Sequence, residues 1–320
     1  MQTRTLGSTC ISLTTVGIGT WAVGGPEWAY GWGPQDDTES IAGIRRGLEL
    51  GINWIDTAAA YGLGHSEEVV ARAVEGFSRK PFVATKCGLA PTGKGKIGFK
   101  LKAADIRAQV DASLKRLKAE VIDLMQIHWP NPEPDIEEGW GQLARCVKEG
   151  KVRFIGVSNF SIEQIKRIMT IHPVASLQPP YSMLERGIEQ EVLDFCASSR
   201  IGIIVYSPMQ KGILTDKFSR QFAEGLAQSD HRRYDPQFKE PLLSANLALV
   251  EGLREIARKS GTTVAQLAIR WVLRRKDVTA AIVGVRKPAQ IEETAKAGDK
   301  GLTEEEEAAI GALLELREGH

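Results

Sequence analysis

Eight short runs rich in β-branched and aromatic residues alternate with longer amphipathic segments, which predicts an α/β fold, a (β/α)8 TIM barrel closed by parallel strands. The runs are 13–19, 53–57, 82–87, 122–128, 153–158, 175–178, 202–207 and 279–284. A second observation agrees with the first. Asp56, Tyr61, Lys86 and His128 stand at or just beyond the ends of three such runs, and the C-terminal ends of its strands are where this barrel carries its chemistry. Length is the third. The 320 residues suit one barrel of about 250 residues plus insertions, so residues 1–320 are expected to form a single domain.

Between the strands, helix starts are legible. Ser66 before Glu67 and Glu68 offers an N-cap and an acidic first turn, while Ser161-Ile-Glu-Gln164 and Thr303-Glu-Glu-Glu306 read as capping boxes. The last of these follows the eighth unit, so a C-terminal extra helix outside the repeat is expected, packed through Ile310, Leu313 and Leu314. At the other end, residues 4–13 place a Gly-Ser turn between two short extended pieces. Two connections are long: residues 21–37, with Trp28, Tyr30 and Trp32 among glycines, and residues 212–241. Loops of this length after barrel strands are expected to wall or cover a pocket.

Composition narrows the partner. Hydrophobic residues make up 42% and charged residues 25%, as in a packed globular core. The 41 basic and 40 acidic side chains nearly cancel, so neither nucleic acid nor an anionic membrane is expected, and a small molecule is. Cysteines 10, 87, 146 and 196 form no Cys-x-x-Cys pair, the histidines at 65, 128, 172, 231 and 320 include no close ligand pair, and no metal site is expected. With no apolar leader behind Met1 and no long apolar run, the reading is a reducing, cytoplasmic location.

The four polar residues suggest proton transfer to a carbonyl. A tyrosine, with an ordinary pKa of about 10, donates poorly near neutrality unless a cation stabilises the phenolate. Lys86 supplies a cation, Asp56 a counter-charge for a buried ammonium, and His128 a group to orient the carbonyl oxygen. Each alone has a plain alternative: a turn-forming aspartate, a core tyrosine, a structural histidine. Together they make a site.

At these residues the chain resembles the aldo-keto reductase family. The motifs Ile55-Asp-Thr-Ala-Ala-Ala-Tyr-Gly62, Ala84-Thr-Lys86, Gln126-Ile-His128, Gly156-Val-Ser-Asn-Phe160, Leu177-Gln178 and Tyr206-Ser-Pro208 match in order over nearly the whole chain. The resemblance implies a catalytic tetrad of Asp56, Tyr61, Lys86 and His128, a nicotinamide cofactor, and an N-terminal hairpin plugging the barrel bottom. It also implies that Tyr206 stacks on the nicotinamide and that Ser158, Asn159 and Gln178 hold its carboxamide. Ser207, Gly212 and Leu214 would line the pyrophosphate, and Gly284, Arg286, Gln290 and Glu293 the adenosine end.

No Gly-x-Gly-x-x-Gly fingerprint follows a strand, and Gly93-Lys-Gly-Lys96 lacks the spacing of a phosphate loop, so it reads as a solvated loop with a substrate role left open. Phosphate is expected instead at the strand-eight helix, where Arg286 suits a 2′-phosphate and favours NADPH/NADP+ over NADH. The alternative is that Arg286 and Lys287 are solvated loop charges. Two residues depart from the family pattern: Thr294 where asparagine is common, and Asp216 where glycine is common. Trp21, Trp28, Tyr30, Trp32 and Trp129 are expected to wall the substrate pocket, for an apolar carbonyl or a sugar. Arg232 and Arg233 are candidates for an anionic group, with solvent exposure expected for at least one.

The expected activity is NADPH-dependent reduction of aldehydes, ketones or sugar carbonyls with Tyr61 as general acid, or the reverse oxidation of an alcohol or lactol. The alternative is a cofactor-binding regulatory subunit resembling the potassium-channel β subunits. Against it, the sequence offers no N-terminal extension that would reach a channel, and the tetrad is intact.

Overall fold

In a computed structural model, which describes all residues except 27, 29, 94, 95, 229, 319 and 320, the chain opens with an antiparallel hairpin of Thr3–Thr5 (β1) and Ser12–Thr14 (β2). Leu6 and Leu13 are fully buried against Trp54, Phe82, Leu124, Ile204 and Ala280, side chains from the barrel strands, so the hairpin closes one end of the barrel. Arg4 ties it down by donating to Leu273 O at 2.8 Å, Arg275 O at 2.9 Å and Val278 O.

The run 13–19, expected as one strand, divides at Thr15 between two sheets. Thr15 N bonds Gln2 O beside the hairpin, while its carbonyl accepts from Ala281 N of the barrel. The barrel strands then follow in order: Val16–Gly19 (β3), Trp54–Asp56 (β4) and Phe82–Cys87 (β5). An unanticipated antiparallel hairpin of Leu89–Gly93 (β6) and Lys96–Phe99 (β7) comes next. Gly93 and Lys96, the ends of the stretch read as a solvated loop, are register partners in this hairpin, and residues 94 and 95 lie outside the described residues. Ile122–Ile127 (β8), Val152–Ser158 (β9), Ser176–Gln178 (β10), Gly202–Val205 (β11) and Val278–Gly284 (β12) complete the set. The closed order is β10-β11-β12-β3-β4-β5-β8-β9, every pair parallel, sealed by β12 against β3 with Gly284 opposite Gly19.

Strand alternation sorts the side chains. In β8, Leu124 joins the cluster at the hairpin plug, whereas Met125 and Ile127 join the large core shared with the helices. Cys87 falls in that outer core, buried and with its thiol pushed up by burial, as alternation predicts. All four cysteines are free thiols, and only Cys10 is exposed. Among the described residues, no helix is long and apolar enough to cross a membrane.

Both capping boxes form. Gln164 N donates to Ser161 Oγ at 3.2 Å and Ser161 N to Gln164 Oε1 at 3.0 Å; Thr303 and Glu306 reciprocate at 3.1 and 2.8 Å. Ser66 does not cap. Its helix, His65–Val74, starts from Gly64 at φ 106°, and the fully buried Ser66 hydroxyl instead bonds Thr20 Oγ1 (2.8 Å), Thr20 O (3.1 Å) and Thr57 Oγ1 (3.0 Å). The final helix, Glu304–Glu318, buries Ile310 and Leu314 and lays Leu313 against Gly252.

The barrel interior is filled to contact at Trp54. Its indole donates to Thr14 O at 2.8 Å and lies where a Cβ on Gly17 would come within 2.0 Å of the ring. Gly17→Ala is therefore expected to lower the unfolding free energy by about 1–3 kcal/mol or more through overpacking, read from chemical denaturation. An unchanged midpoint would show that Trp54 moves aside freely.

Candidate active site

Three neighbouring strands deliver the polar residues to one place. Asp56 ends β4, Lys86 sits in β5, and His128 follows β8, continuing the ladder by donating its backbone N–H to Cys87 O at 2.9 Å. Tyr61 lies in a tight turn after β4, where Gly62 (φ 59°) would set a Cβ 2.1 Å from Gly24 O. Only glycine lets the first long loop pack so closely on that turn. All four side chains are buried.

Lys86 Nζ donates to Asp56 Oδ2 at 2.6 Å, Thr57 O at 3.0 Å and Tyr61 OH at 3.0 Å, which uses all three ammonium donors. The phenol oxygen accepts from Lys86, so its own proton must point elsewhere. The second carboxylate oxygen of Asp56 accepts from Gln178 Nε2 at 2.8 Å. Thr20 donates to Asp56 O through both its N–H and its hydroxyl, and Ser66 links Thr20 to Thr57.

Burial governs the protonation states. It pushes Asp56 up and Lys86 down, each opposed by the charge of the other. The expectation that Lys86 draws the Tyr61 pKa down is not met: burial and then the Asp56 charge hold Tyr61 well above its ordinary value. The ammonium touches the phenol, but its charge is compensated by Asp56, and the resting tyrosine keeps its proton. His128 is held well below its ordinary value by burial and then by Lys86, and its Nδ1 is buried without a hydrogen-bond partner among the described residues. A neutral imidazole with one N–H is thus set beside Tyr61, ring centroids 5.7 Å apart.

The ends of the next strands form a polar chain. Ser158 Oγ donates to Gln178 O (2.7 Å), Asn159 Nδ2 to His128 O (3.0 Å), and the half-buried Tyr206 OH to Asn159 Oδ1 (2.9 Å). Asn159 (φ 62°) and Ser207 (φ 56°) both take left-handed backbone to reach these places.

Further out, Gln35, Asp36, Glu39, Lys217, Arg286, Lys287 and Gln290 line a cleft of about 380 Å³. Gln290 Oε1 accepts from Arg286 N at 2.9 Å. Gly284 is exposed at the end of β12, and Glu293 lies a turn further along helix Pro288–Thr294, its carbonyl accepting from Gln266 Nε2. Gly212 takes φ 101° beside Arg232, whereas Leu214 is fully buried in the core, which limits its part here to the main chain. The two departures have structural work. Asp216 Oδ2 accepts from Val264 N at 3.0 Å at the start of helix Val264–Leu273, and Thr294 Oγ1 bonds back to Gln290 O at 3.0 Å.

Trp21 and Trp28 stand 5.0 and 5.8 Å from the Tyr61 ring, and Trp21 Nε1 donates to Tyr30 O at 3.0 Å. Trp28 Nε1 is a second buried donor without a partner among the described residues. Leu89 and Ile97 of the β6–β7 hairpin complete this wall, and no sequence motif marks them. Trp32 lies elsewhere, under the Arg232 guanidinium at 4.6 Å, and Trp129 is 43% exposed. Arg232 is paired with Asp230 at 2.7 Å, while Arg233 is exposed. Gln35, Thr20 and Thr57 were also unmarked in the sequence, because their partners include residues on other strands, helices and loops.

A family model described as the aldo/keto reductase family matches residues 15–315. The chain belongs to the aldo/keto reductase family. Among its relatives, the aldo-keto reductase YhdN of Bacillus subtilis is 36% identical over 98% of this chain and 94% of its own length. The NADH-specific methylglyoxal reductase of Escherichia coli is 31% identical over 99% and 100%. The structure of the glycerol dehydrogenase AKR11B4 from Gluconobacter oxydans superposes with a TM-score of 0.89, at 37% identity over 98% and 94%. As an aldo-keto reductase, the protein is an NAD(P)H-dependent oxidoreductase acting on carbonyls, and nothing favours a channel subunit. The site suits such a cofactor: a buried, unpartnered imidazole nitrogen at one end and a basic cleft at the other.

Because the folded His128 titrates well below the ordinary histidine value of about 6.5, the unfolded chain alone takes up that proton as pH falls. Stability present above about pH 6.5 is then lost on acidification. His128→Gln removes this loss, so the gap in unfolding free energy between the two proteins should change between about pH 8 and about pH 5 in the variant's favour, by up to about 1.4 kcal/mol per pH unit. A pH-independent gap would mean that the imidazole protonates freely in the folded protein.

Proposed function

We propose that the protein reduces small aldehydes, ketones or sugar carbonyls, or oxidises the corresponding alcohols or lactols, with Tyr61 as general acid and NADPH as the preferred cofactor. The observation that carries the acid assignment is the Lys86 contact at 3.0 Å, which occupies the phenol oxygen as an acceptor and directs its proton away from the ammonium. Relatives named for methylglyoxal and for glycerol, both small oxygenated molecules, support the substrate class.

The cofactor, when bound, supplies or accepts the hydride. Tyr61 protonates the carbonyl oxygen as it gains charge, and Lys86 follows that charge onto the phenolate while Asp56 and Gln178 hold the ammonium in place. Neutral His128 donates to the same oxygen and orients it. Trp21, Trp28, Tyr30, Leu89 and Ile97 exclude water on the substrate side, with Trp32 and Trp129 further out. Ser158, Asn159 and Gln178 offer amide and hydroxyl groups to a carboxamide, and Tyr206 offers a flat face beside them. Ser207, Gly212 and the Leu214 main chain flank the pyrophosphate, with Gly284, Gln290 and Glu293 at the adenosine end. Arg286 supports NADPH, because its guanidinium in a cleft with Lys217 and Lys287 suits a 2′-phosphate. The hairpin and the final helix both pack on the barrel, which supports one domain over 1–320, and four free thiols suit a reducing cytoplasm.

Tyr61→Phe keeps the ring packing but removes the proton, so kcat should fall by on the order of 10² to 10⁴ while NADPH binding, titrated by protein fluorescence, survives. Retained kcat would remove Tyr61 from the mechanism. Arg286→Ala should weaken NADPH by roughly 10- to 100-fold and leave NADH nearly unchanged; equal weakening of both would deny Arg286 the 2′-phosphate.

A further inference from the structure

Arg286 is held by a residue far away in sequence, from the loop that follows the adjacent strand β3. Gln35, in the first long loop, accepts from Arg286 Nε at 2.5 Å and donates its Nε2 to Arg286 O at 2.8 Å, so one amide grips both the side chain and the main chain. Pro34 O accepts from Arg286 Nη2 at 2.6 Å, and Gln35 Nε2 is steadied by Ser40 Oγ at 2.9 Å. These two acceptors occupy one edge of the guanidinium, the edge formed by Nε and Nη2. Nη1 carries no hydrogen bond among the described residues, so the end formed by Nη1 and Nη2 remains for an anion.

The setting makes such orientation matter. Asp36 and Glu39 line the same cleft as Lys217, Arg286 and Lys287. The Asp36 carboxylate is engaged by Thr38 N and Glu39 N at 2.6 and 3.2 Å, at the start of helix Asp37–Glu49. An arginine free to swing would pair with one of these carboxylates and be lost to a phosphate. Gln35, a neutral acceptor, orients the guanidinium without cancelling its charge.

We propose that Gln35 is a positioning residue for cofactor selection: by fixing Arg286, it sets the preference for a 2′-phosphorylated nicotinamide cofactor over its unphosphorylated counterpart. The inference rests on the reading that Arg286 meets the 2′-phosphate. It also gives the loop that bears Trp21, Trp28 and Tyr30 a second task at the opposite end of the cofactor.

The test is a double-mutant cycle on Gln35→Ala, Arg286→Ala and the double variant, with NADPH and NADH each titrated by protein fluorescence. Gln35→Ala should weaken NADPH by about three- to tenfold, the equivalent of one ordinary hydrogen bond, with NADH within twofold of the parent. In the Arg286→Ala background, the Gln35 change should have no further effect on NADPH, because the residue acts through the guanidinium. Gln35→Glu should weaken NADPH more than Gln35→Ala, since a carboxylate neutralises the arginine. Equal weakening of both cofactors by Gln35→Ala, or an additive effect in the double variant, would overturn the proposal while leaving the role of Arg286 standing. Equal weakening of both cofactors by Arg286→Ala would overturn both.

Discussion

The ion pair between Lys86 and Asp56 is the interaction on which the rest of the site depends. Two charges removed from water are costly unless each finds hydrogen bonds beyond the other. Here the ammonium has three acceptors, and the carboxylate has Lys86 on one oxygen and Gln178 on the other. These partners come from three barrel strands, β4, β5 and β10, or the turn after β4, so closure of the barrel is itself a requirement of the pair. Removing Lys86 leaves a buried carboxylate, and removing Asp56 leaves a buried ammonium.

That pair also explains why the Tyr61 phenol keeps its proton at rest. A bare lysine beside a phenol favours phenolate; a lysine already neutralised by aspartate does so far less, and burial then decides. The same burial keeps His128 neutral. Tyr61 and His128 are therefore both uncharged beside an aromatic wall that is itself uncharged.

Much of this was legible in the sequence. Strand runs, two capping boxes, the hairpin and final helix, and the four polar residues follow from periodicity, turn chemistry and motif order, all of which are local. What was illegible depends on contacts between distant segments. Ser66 has the signature of a cap, yet Gly64 starts the helix and frees its hydroxyl for Thr20. The run 13–19 is uniformly extended, and only its partners reveal that Thr15 passes from one sheet to another. The direction of the Tyr61 shift depends on the balance of burial against a compensated cation, which no motif encodes. Trp32 counts among five aromatics in the sequence, but in space it belongs to Arg232.

The β6–β7 hairpin satisfies its backbone by pairing with itself, and its base is pinned at Gly88, whose carbonyl accepts from Lys100 N and whose N–H meets Gln109 Oε1. It rises directly after the strand that carries Lys86 and lends Leu89 and Ile97 to the wall around Tyr61. Its length and sequence are thus uncoupled from the barrel ladder. Insertions or exchanges there would reshape the wall beside Tyr61 while the buried ion pair stays fixed in the barrel, which makes this hairpin a place where the molecule tolerates diversification in descent or by design.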